Sequence, residues 1–315
     1  MEKESLIIIA GPTAVGKSNL AIELAKRIGG EIISADSMQV YRYMNIGTAK
    51  ITEEEMSGVR HYLIDALLPS EEFSVAVFQE MVKDAILKIR QHGKIPILVG
   101  GTGFYIQAVY YGIDFTKEAG ESSERKKLLQ LSKEKGAHYL HQMLMNIDPA
   151  SAEAIHENNK KRVIRAIEYF QETGERISDH NERERKKESI YQAAFFVLND
   201  KREVLYEKIE QRVDQMIHAG LEKEVQKLLD MGYTRELVSM QGLGYKEMIS
   251  YLMGEISLEE AIYLIKRDTR HFAKRQITWF KREPDAVWID KDRYSYDNQK
   301  ILAFMCNEIK NKGIC

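Results

Sequence analysis

The sequence predicts an α/β protein, with a parallel sheet flanked by helices and an all-helical subdomain inserted into it. Three observations predict this. Over the first 115 residues short apolar runs alternate with amphipathic stretches, the pattern of strands and helices around a parallel sheet. A glycine-rich phosphate fingerprint stands at the first of those strand-to-helix junctions. From about residue 116 the strand pattern stops, and it resumes near residue 191.

In chain order, Leu6–Ala10 reads as a buried strand, and Leu20, Leu24 and Ile28 mark one helix face by their four-residue spacing. Glu31–Ala35 and Tyr62–Ala66 read as further strands. Val75, Phe78, Val82, Ile86 and Ile89 form the next helical stripe, with Ser74 as its N-cap. Ile95–Val99 is a strand running into Gly100-Gly101-Thr102-Gly103. The stretch 117–190 carries 15 basic and 14 acidic residues and no convincing strand, so it reads as a helical, surface-rich insert. Ala193–Leu198 returns to the sheet. Leu205, Ile209, Val213 and Ile217 form another helical stripe, and Val287-Trp288-Ile289 is a late strand. The expected division is a catalytic core of 1–115 and 191–315 around an insert of 116–190.

Composition bounds the function. The 315 residues leave room for two domains, and 46 basic against 48 acidic residues give a net charge of −2. That excludes a general polycation, so any nucleic-acid binding must use a local basic patch. Two cysteines, Cys306 and Cys315, exclude a Cys-rich zinc ribbon, an iron–sulfur cluster and a disulfide scaffold. The first apolar run is about five residues, shorter than a secretory or membrane segment, so a cytoplasmic protein with no membrane partner is expected.

Gly11, Pro12, Thr13, Ala14, Val15, Gly16, Lys17 and Ser18 fit G-x-x-x-x-G-K-[ST] completely, after an apolar strand and before an amphipathic helix. This makes the core P-loop NTPase-like. Glycines let the backbone wrap an anion with its N–H groups inward, and the helix adds its positive end. Lys17 reaches the terminal phosphate oxygens, and the Ser18 hydroxyl suits Mg2+. No N-K-x-D guanine motif is present, and the ordinary partners of nucleotide hydrolysis are thin.

The strand Glu31–Ala35 is followed by Asp36, Ser37, Met38 and Gln39. Ligands bind beyond the carboxyl ends of strands, which puts Asp36 at a site edge, able to accept a proton from an acceptor hydroxyl or amine. Gln39 suits reading a base edge. Equally, Asp36 and Gln39 resemble a capping box on a following helix. Thr102, in the glycine turn, could bond a phosphate or a base, or the turn could be only a turn. Residues 266–282 hold seven Lys or Arg and one Asp, a net of 7 − 1 = +6. Arg270, Lys274 and Arg275 there are candidates for phosphate-backbone contact. Phe272, Gln276 and Phe280 have the spacing of a packed face. Gln241, Gly242, Leu243, Gly244, Tyr245 and Lys246 form a glycine-broken helix start, either turn chemistry or a loop clamping a substrate.

Together these pieces resemble the tRNA dimethylallyltransferase family. The resemblance is carried by GPTAVGKS (11–18), SADSMQVYR (34–42), NIGTAK (45–50), HYLID (61–65), ILVGGTGFYI (97–106), KRVIRAIE (161–168), QRVDQMIHAGLEKEV (211–225), QGLGYKE (241–247) and TRHFAKRQITWFKR (269–282). It implies transfer of the dimethylallyl group of dimethylallyl diphosphate to N6 of adenosine 37, in tRNAs reading codons that begin with U. Asp36 would take the amine proton. Lys17, Arg212, the P-loop amides and Mg2+ on Ser18 would stabilise the departing diphosphate, with Thr13 and Thr102 as further contacts. Asp36, Ser37, Met38, Gln39, Thr102, Arg125, Lys160, Lys161, Arg162, Val163 and Ile164 would touch the anticodon stem-loop. His61 matches a family histidine without an assigned role. The family's eukaryotic C2H2 finger is absent, which implies the bacterial type, expected as a monomer. The rival reading of the same P-loop and Asp36 is a small-molecule kinase.

Overall fold

The computed structural model describes residues 3–115, 123–185 and 187–314. The elements run β1 (Glu4–Ala10), α1 (Lys17–Ile28), β2 (Gly30–Ala35), α2 (Glu53–Met56), β3 (His61–Tyr62), α3 (Val75–Gln91), β4 (Ile95–Gly100) and α4 (Gly103–Tyr111). Helices α5 (Ser123–Ile147), α6 (Pro149–Ala154), α7 (Lys160–Thr173) and α8 (Ile177–Arg185) follow. The chain then runs through β5 (Tyr191–Asn199), α9 (Arg202–His218), α10 (Leu221–Asp230), α11 (Tyr245–Leu252), α12 (Leu258–Phe280), β6 (Val287–Asp290) and α13 (Asn298–Asn311). It divides into two compact units, 1–110 with 190–315, and 111–189. The expected first residue of the insert, 116, and Cys315 lie outside the described residues.

In the larger unit the strands make a six-stranded sheet in the order β3-β2-β4-β1-β5-β6, with every neighbouring pair parallel. Leu6 through Ala10 are fully buried, because a central parallel strand is covered on both faces. Helix α1 presses Leu20 and Leu24 onto the sheet, and α9 and α13 add Leu205, Ile209, Ile301 and Met305 to the same core. The stripe expected for α3 is buried throughout, and Ser74 Oγ accepts from Val77 N at 3.3 Å as its cap.

One expected strand is corrected. Tyr62–Ala66 pairs only at its start, as β3. Leu63 and Asp65 take left-handed backbone angles, φ 62° and 52°, which turn the chain out of the ladder.

In the smaller unit, α5 is interrupted at Gly136. Leu128, Leu140, Leu144, Val163, Ile164 and Ile167 form its own apolar core. The buried Asp148 carboxylate binds this unit's turns together: Oδ1 accepts from Ser151 N at 3.0 Å and Oδ2 from Ser178 N at 3.0 Å. No helix of the described residues is long and apolar enough to cross a membrane.

Candidate active site

The loops after β1, β2 and β4 meet at the carboxyl edge of the sheet, because these strands are neighbours in one parallel ladder. The first is the P-loop. Gly16 turns the backbone into α1 with φ 93°, a conformation costly for any residue with a Cβ. Lys17 Nζ donates to the carbonyls of Gly11 at 3.0 Å and Pro12 at 2.8 Å, which hold the ammonium over the loop. Burial pulls the Lys17 pKa down to about 8, Asp36 opposes that fall, and Arg212 adds to it. Arg212, from α9, donates to Thr13 Oγ1 at 3.4 Å; burial lowers its pKa too, and Asp36 again opposes. The three ionised groups therefore share one electrostatic environment.

Asp36 follows β2. Its Oδ1 accepts from Met38 N at 2.9 Å and Gln39 N at 3.3 Å. The capping geometry is real, but the following segment is a turn and no helix starts there. Both bonds fall on one oxygen, so Oδ2 remains for an incoming donor. After β4, Thr102 N donates to Ala35 O at 3.3 Å, and Thr102 Oγ1 accepts from Ser37 N at 3.3 Å. The glycine turn is thereby stitched to the Asp36 loop.

Ser18 is exposed in the first turn of α1. Among the described residues, no group of three His, Cys, Asp or Glu side chains could hold a metal by itself. A hydrated Mg2+ held largely by phosphate oxygens needs only one or two protein oxygens, and the exposed Ser18 hydroxyl beside Lys17 fits that need.

Comparison with known proteins gives this site its family. The IPP transferase profile matches residues 39–283, well over half of the chain. The chain belongs to the IPP transferase family. It is 60% identical over 311 residues to the tRNA dimethylallyltransferase of Lachnoclostridium phytofermentans, covering 99% of each chain. It is similar to the crystal structure of the tRNA isopentenylpyrophosphate transferase of Bacillus halodurans, with 44% identity, a TM-score of 0.74, and 99% and 98% of the two chains covered. It is also similar to a eukaryotic dimethylallyltransferase captured acting on tRNA, at 31% identity and a TM-score of 0.83, covering 98% of this chain and 80% of that one. Family membership leaves each side chain to be placed by its own surroundings.

Several expected RNA contacts have other work. The Gln39 amide is engaged within the chain: Oε1 accepts from Ser34 Oγ, and Nε2 donates to the carbonyls of Thr48 and Ala49, each at 3.3 Å. Val163 and Ile164 are buried in the core of the smaller unit, because a helix that starts with three cations still needs an apolar face. Their side chains cannot meet RNA. Lys160, Lys161 and Arg162, one turn earlier, are exposed. Arg125 lies 3.4 Å from Glu168 Oε2, and Arg165 lies 3.6 Å from the same oxygen; Glu168 is fully buried and needs such cations.

The segment from Gln241 to Lys246 is also split. Tyr245 is fully buried and its hydroxyl donates to Glu224 Oε1 at 2.8 Å; burial and this carboxylate push its pKa upward. Gly244 N donates to Glu247 Oε2 at 2.9 Å, capping α11. Gly242 packs on the Met38 side chain, Gln241 is exposed, Leu243 is half-buried, and Lys246 pairs with Glu247 at 3.3 Å. On α12, Arg270 is tied to Glu210 at 2.6 Å, whereas Lys274 and Arg275 are exposed, Arg275 lying over the Phe272 ring. His61 is half-buried, its ring nitrogen 2.8 Å from Val59 O, a packing position; burial lowers its pKa.

Two residues of the site escape local reading. Glu224 accepts from the backbone N–H groups of Asn45, Ile46 and Gly47 at 2.8–3.1 Å, fixing the loop beyond Asp36. Gln276 sits on the packed face of α12. A polar amide in an apolar stripe is the one signal that could have marked it as a buried hydrogen-bonding residue.

Proposed function

We propose that this chain transfers the dimethylallyl group of dimethylallyl diphosphate to N6 of adenosine 37, in tRNAs reading codons that begin with U, releasing diphosphate. The observation that carries this reading is electrostatic. Arg212 and Lys17 are both held on the P-loop, Thr102 ties the neighbouring loop to the Asp36 segment, and the Asp36 charge acts on both cations, so a group suited to the acceptor and two suited to the diphosphate belong to one site. The names of the relatives favour prenyl transfer to tRNA over the kinase reading.

The chemistry poses two problems. The exocyclic amine is a weak nucleophile, because its lone pair is delocalised into the ring. As its nitrogen bonds to the allylic carbon, Asp36 Oδ2 accepts the N–H proton. The carbon–oxygen bond to the diphosphate breaks in the same displacement, and the departing negative charge falls to Lys17, Arg212 and the P-loop amides. Thr13 and Thr102 line the two sides. Mg2+ held by Ser18 would add Lewis-acid stabilisation of the diphosphate oxygens.

The target base must leave the anticodon stack, at a cost of a few kcal/mol. Ser37, Met38 and Thr102 would receive it, and Lys274, Arg275, Gln241 and Lys246 would meet the RNA backbone. Arg125, Lys160, Lys161 and Arg162 of the insert would add contacts to the anticodon stem-loop. We take the working form to be a monomer acting on tRNA in the cytoplasm. Incubation with unmodified tRNA, radiolabelled dimethylallyl diphosphate and Mg2+ should place label on RNA. No label, with ATP consumed to phosphorylate a small acceptor, would instead establish the kinase.

A further inference from the structure

We propose that Gln276 is a positioning residue that sets the distance between the diphosphate side and the acceptor side of the site. Its side chain is buried, 6% exposed, on α12. The amide oxygen accepts from Thr13 N at 2.9 Å, and the amide nitrogen donates to Gly101 O at 2.9 Å. One planar group thus spans the P-loop and the loop after β4. Only one orientation satisfies both, since turning the amide over would set donor on donor and acceptor on acceptor.

Each end continues into reacting groups. Thr13 is the P-loop residue whose hydroxyl receives Arg212. Gly101 precedes Thr102, whose hydroxyl receives Ser37 N beside Asp36. The approach is so close that a Cβ at Gly101 would lie 2.2 Å from Gln276 Nε2. One helical turn along, Trp279 presses on the same loop: a Cβ at Gly103 would lie 2.3 Å from its ring. Ala273 and Phe280, both fully buried, lock this face of α12 in place. The loop spacing is therefore fixed from a helix about 260 residues from the P-loop in sequence, through a bond of sequence separation 263.

The inference rests on the transfer reaction proposed above, but the spacing can be tested apart from it. Gln276→Ala should weaken binding of inorganic diphosphate, measured by calorimetry, by roughly tenfold, because Thr13 N of the P-loop is no longer held. It should lower kcat for prenyl transfer by roughly 10²-fold per folded molecule, the scale of a misplacement of about 1 Å, while tRNA affinity stays within about threefold. Gln276→Glu supplies a near-isosteric control. Ionised, it would face the Gly101 carbonyl with a second acceptor; protonated, it can donate there and still accept from Thr13. Its activity relative to the parent should rise as pH falls. If Gln276→Ala binds diphosphate unchanged and keeps kcat within about threefold, or if Gln276→Glu follows the parental pH profile, Gln276 is packing alone and the proposal is overturned. Should the parent protein transfer no prenyl group, the reaction fails, and the calorimetric arm still decides the role of Gln276.

Discussion

The P-loop and the loop beyond Asp36 lie at the same sheet edge, and they are built in different ways. The P-loop turns on its own residues, since Gly16 makes the bend and Lys17 is held by carbonyls five and six residues before it, while Gln276 and Arg212 reach Thr13 from outside. The segment from Asp36 to Lys50 combines turns of its own with ties to other parts of the fold. Glu224 gathers the N–H groups of Asn45, Ile46 and Gly47, and the Lys50 ammonium donates to Tyr41 O and pairs with Asp65, each at 2.6 Å. Anion binding by backbone amides starts from local geometry, which Gln276 then holds at Thr13. Presenting an amine to a carboxylate needs a loop fixed against the rest of the fold, and that fixing comes from remote charged side chains.

The sharpest way to separate the two loops is to remove the reacting carboxylate from one of them. Asp36→Ala should lower kcat by roughly 10²–10⁴-fold while tRNA and diphosphate still bind. If Asp36 serves only its turn, through Met38 N and Gln39 N, the variant should be less stable yet keep turnover per folded molecule.

Next in size is the support of the outer loop. Glu224→Ala leaves the amides of Asn45 to Gly47 and the Tyr245 hydroxyl without their acceptor. The expected loss is about 2 kcal/mol of stability in thermal unfolding, with diphosphate affinity unchanged. Equal loss of diphosphate binding would show the two loops to be one cooperative piece.

The pH dependence of diphosphate binding probes the P-loop side of the site. Lys17 is charged below about 8 and loses its proton above it. Affinity for inorganic diphosphate should therefore hold from about pH 7, above the ligand's own protonation, to about 8 and fall above that, by up to about tenfold per pH unit. The linked stability runs the other way. A lysine whose folded pKa is depressed binds fewer protons when folded, so the ligand-free protein should gain stability as pH rises from about 8 towards the ordinary lysine value of 10.5.

The smallest effects concern RNA. Lys274→Ala and Arg275→Ala should each reduce the salt slope of tRNA binding by about one, whereas Arg270→Ala, which unpairs Glu210, should affect mainly stability. A salt slope that responds to Arg270 as strongly as to Lys274 would place the ion pair inside the RNA interface.

What the sequence made legible follows the same division. The order of strands and helices, the P-loop and the candidate carboxylate Asp36 could be read because each depends on periodicity or short spacing. The Tyr62–Ala66 segment misled because apolar residues there sit in a turn with left-handed backbone at Leu63 and Asp65. Tyr245, Val163 and Ile164 are buried, which motif position alone does not reveal. The roles of Glu224 and Gln276 depend on partners 21 to 263 residues away, which no local window contains.

The most direct test of the account is to map the label left on tRNA by the parent protein and by Asp36→Ala, in single-turnover reactions with saturating dimethylallyl diphosphate. The account predicts label on N6 of adenosine 37 with the parent, and the same product at least about 10²-fold slower with Asp36→Ala, at undiminished donor binding. Label elsewhere, no label, or equal rates from the two proteins would contradict it.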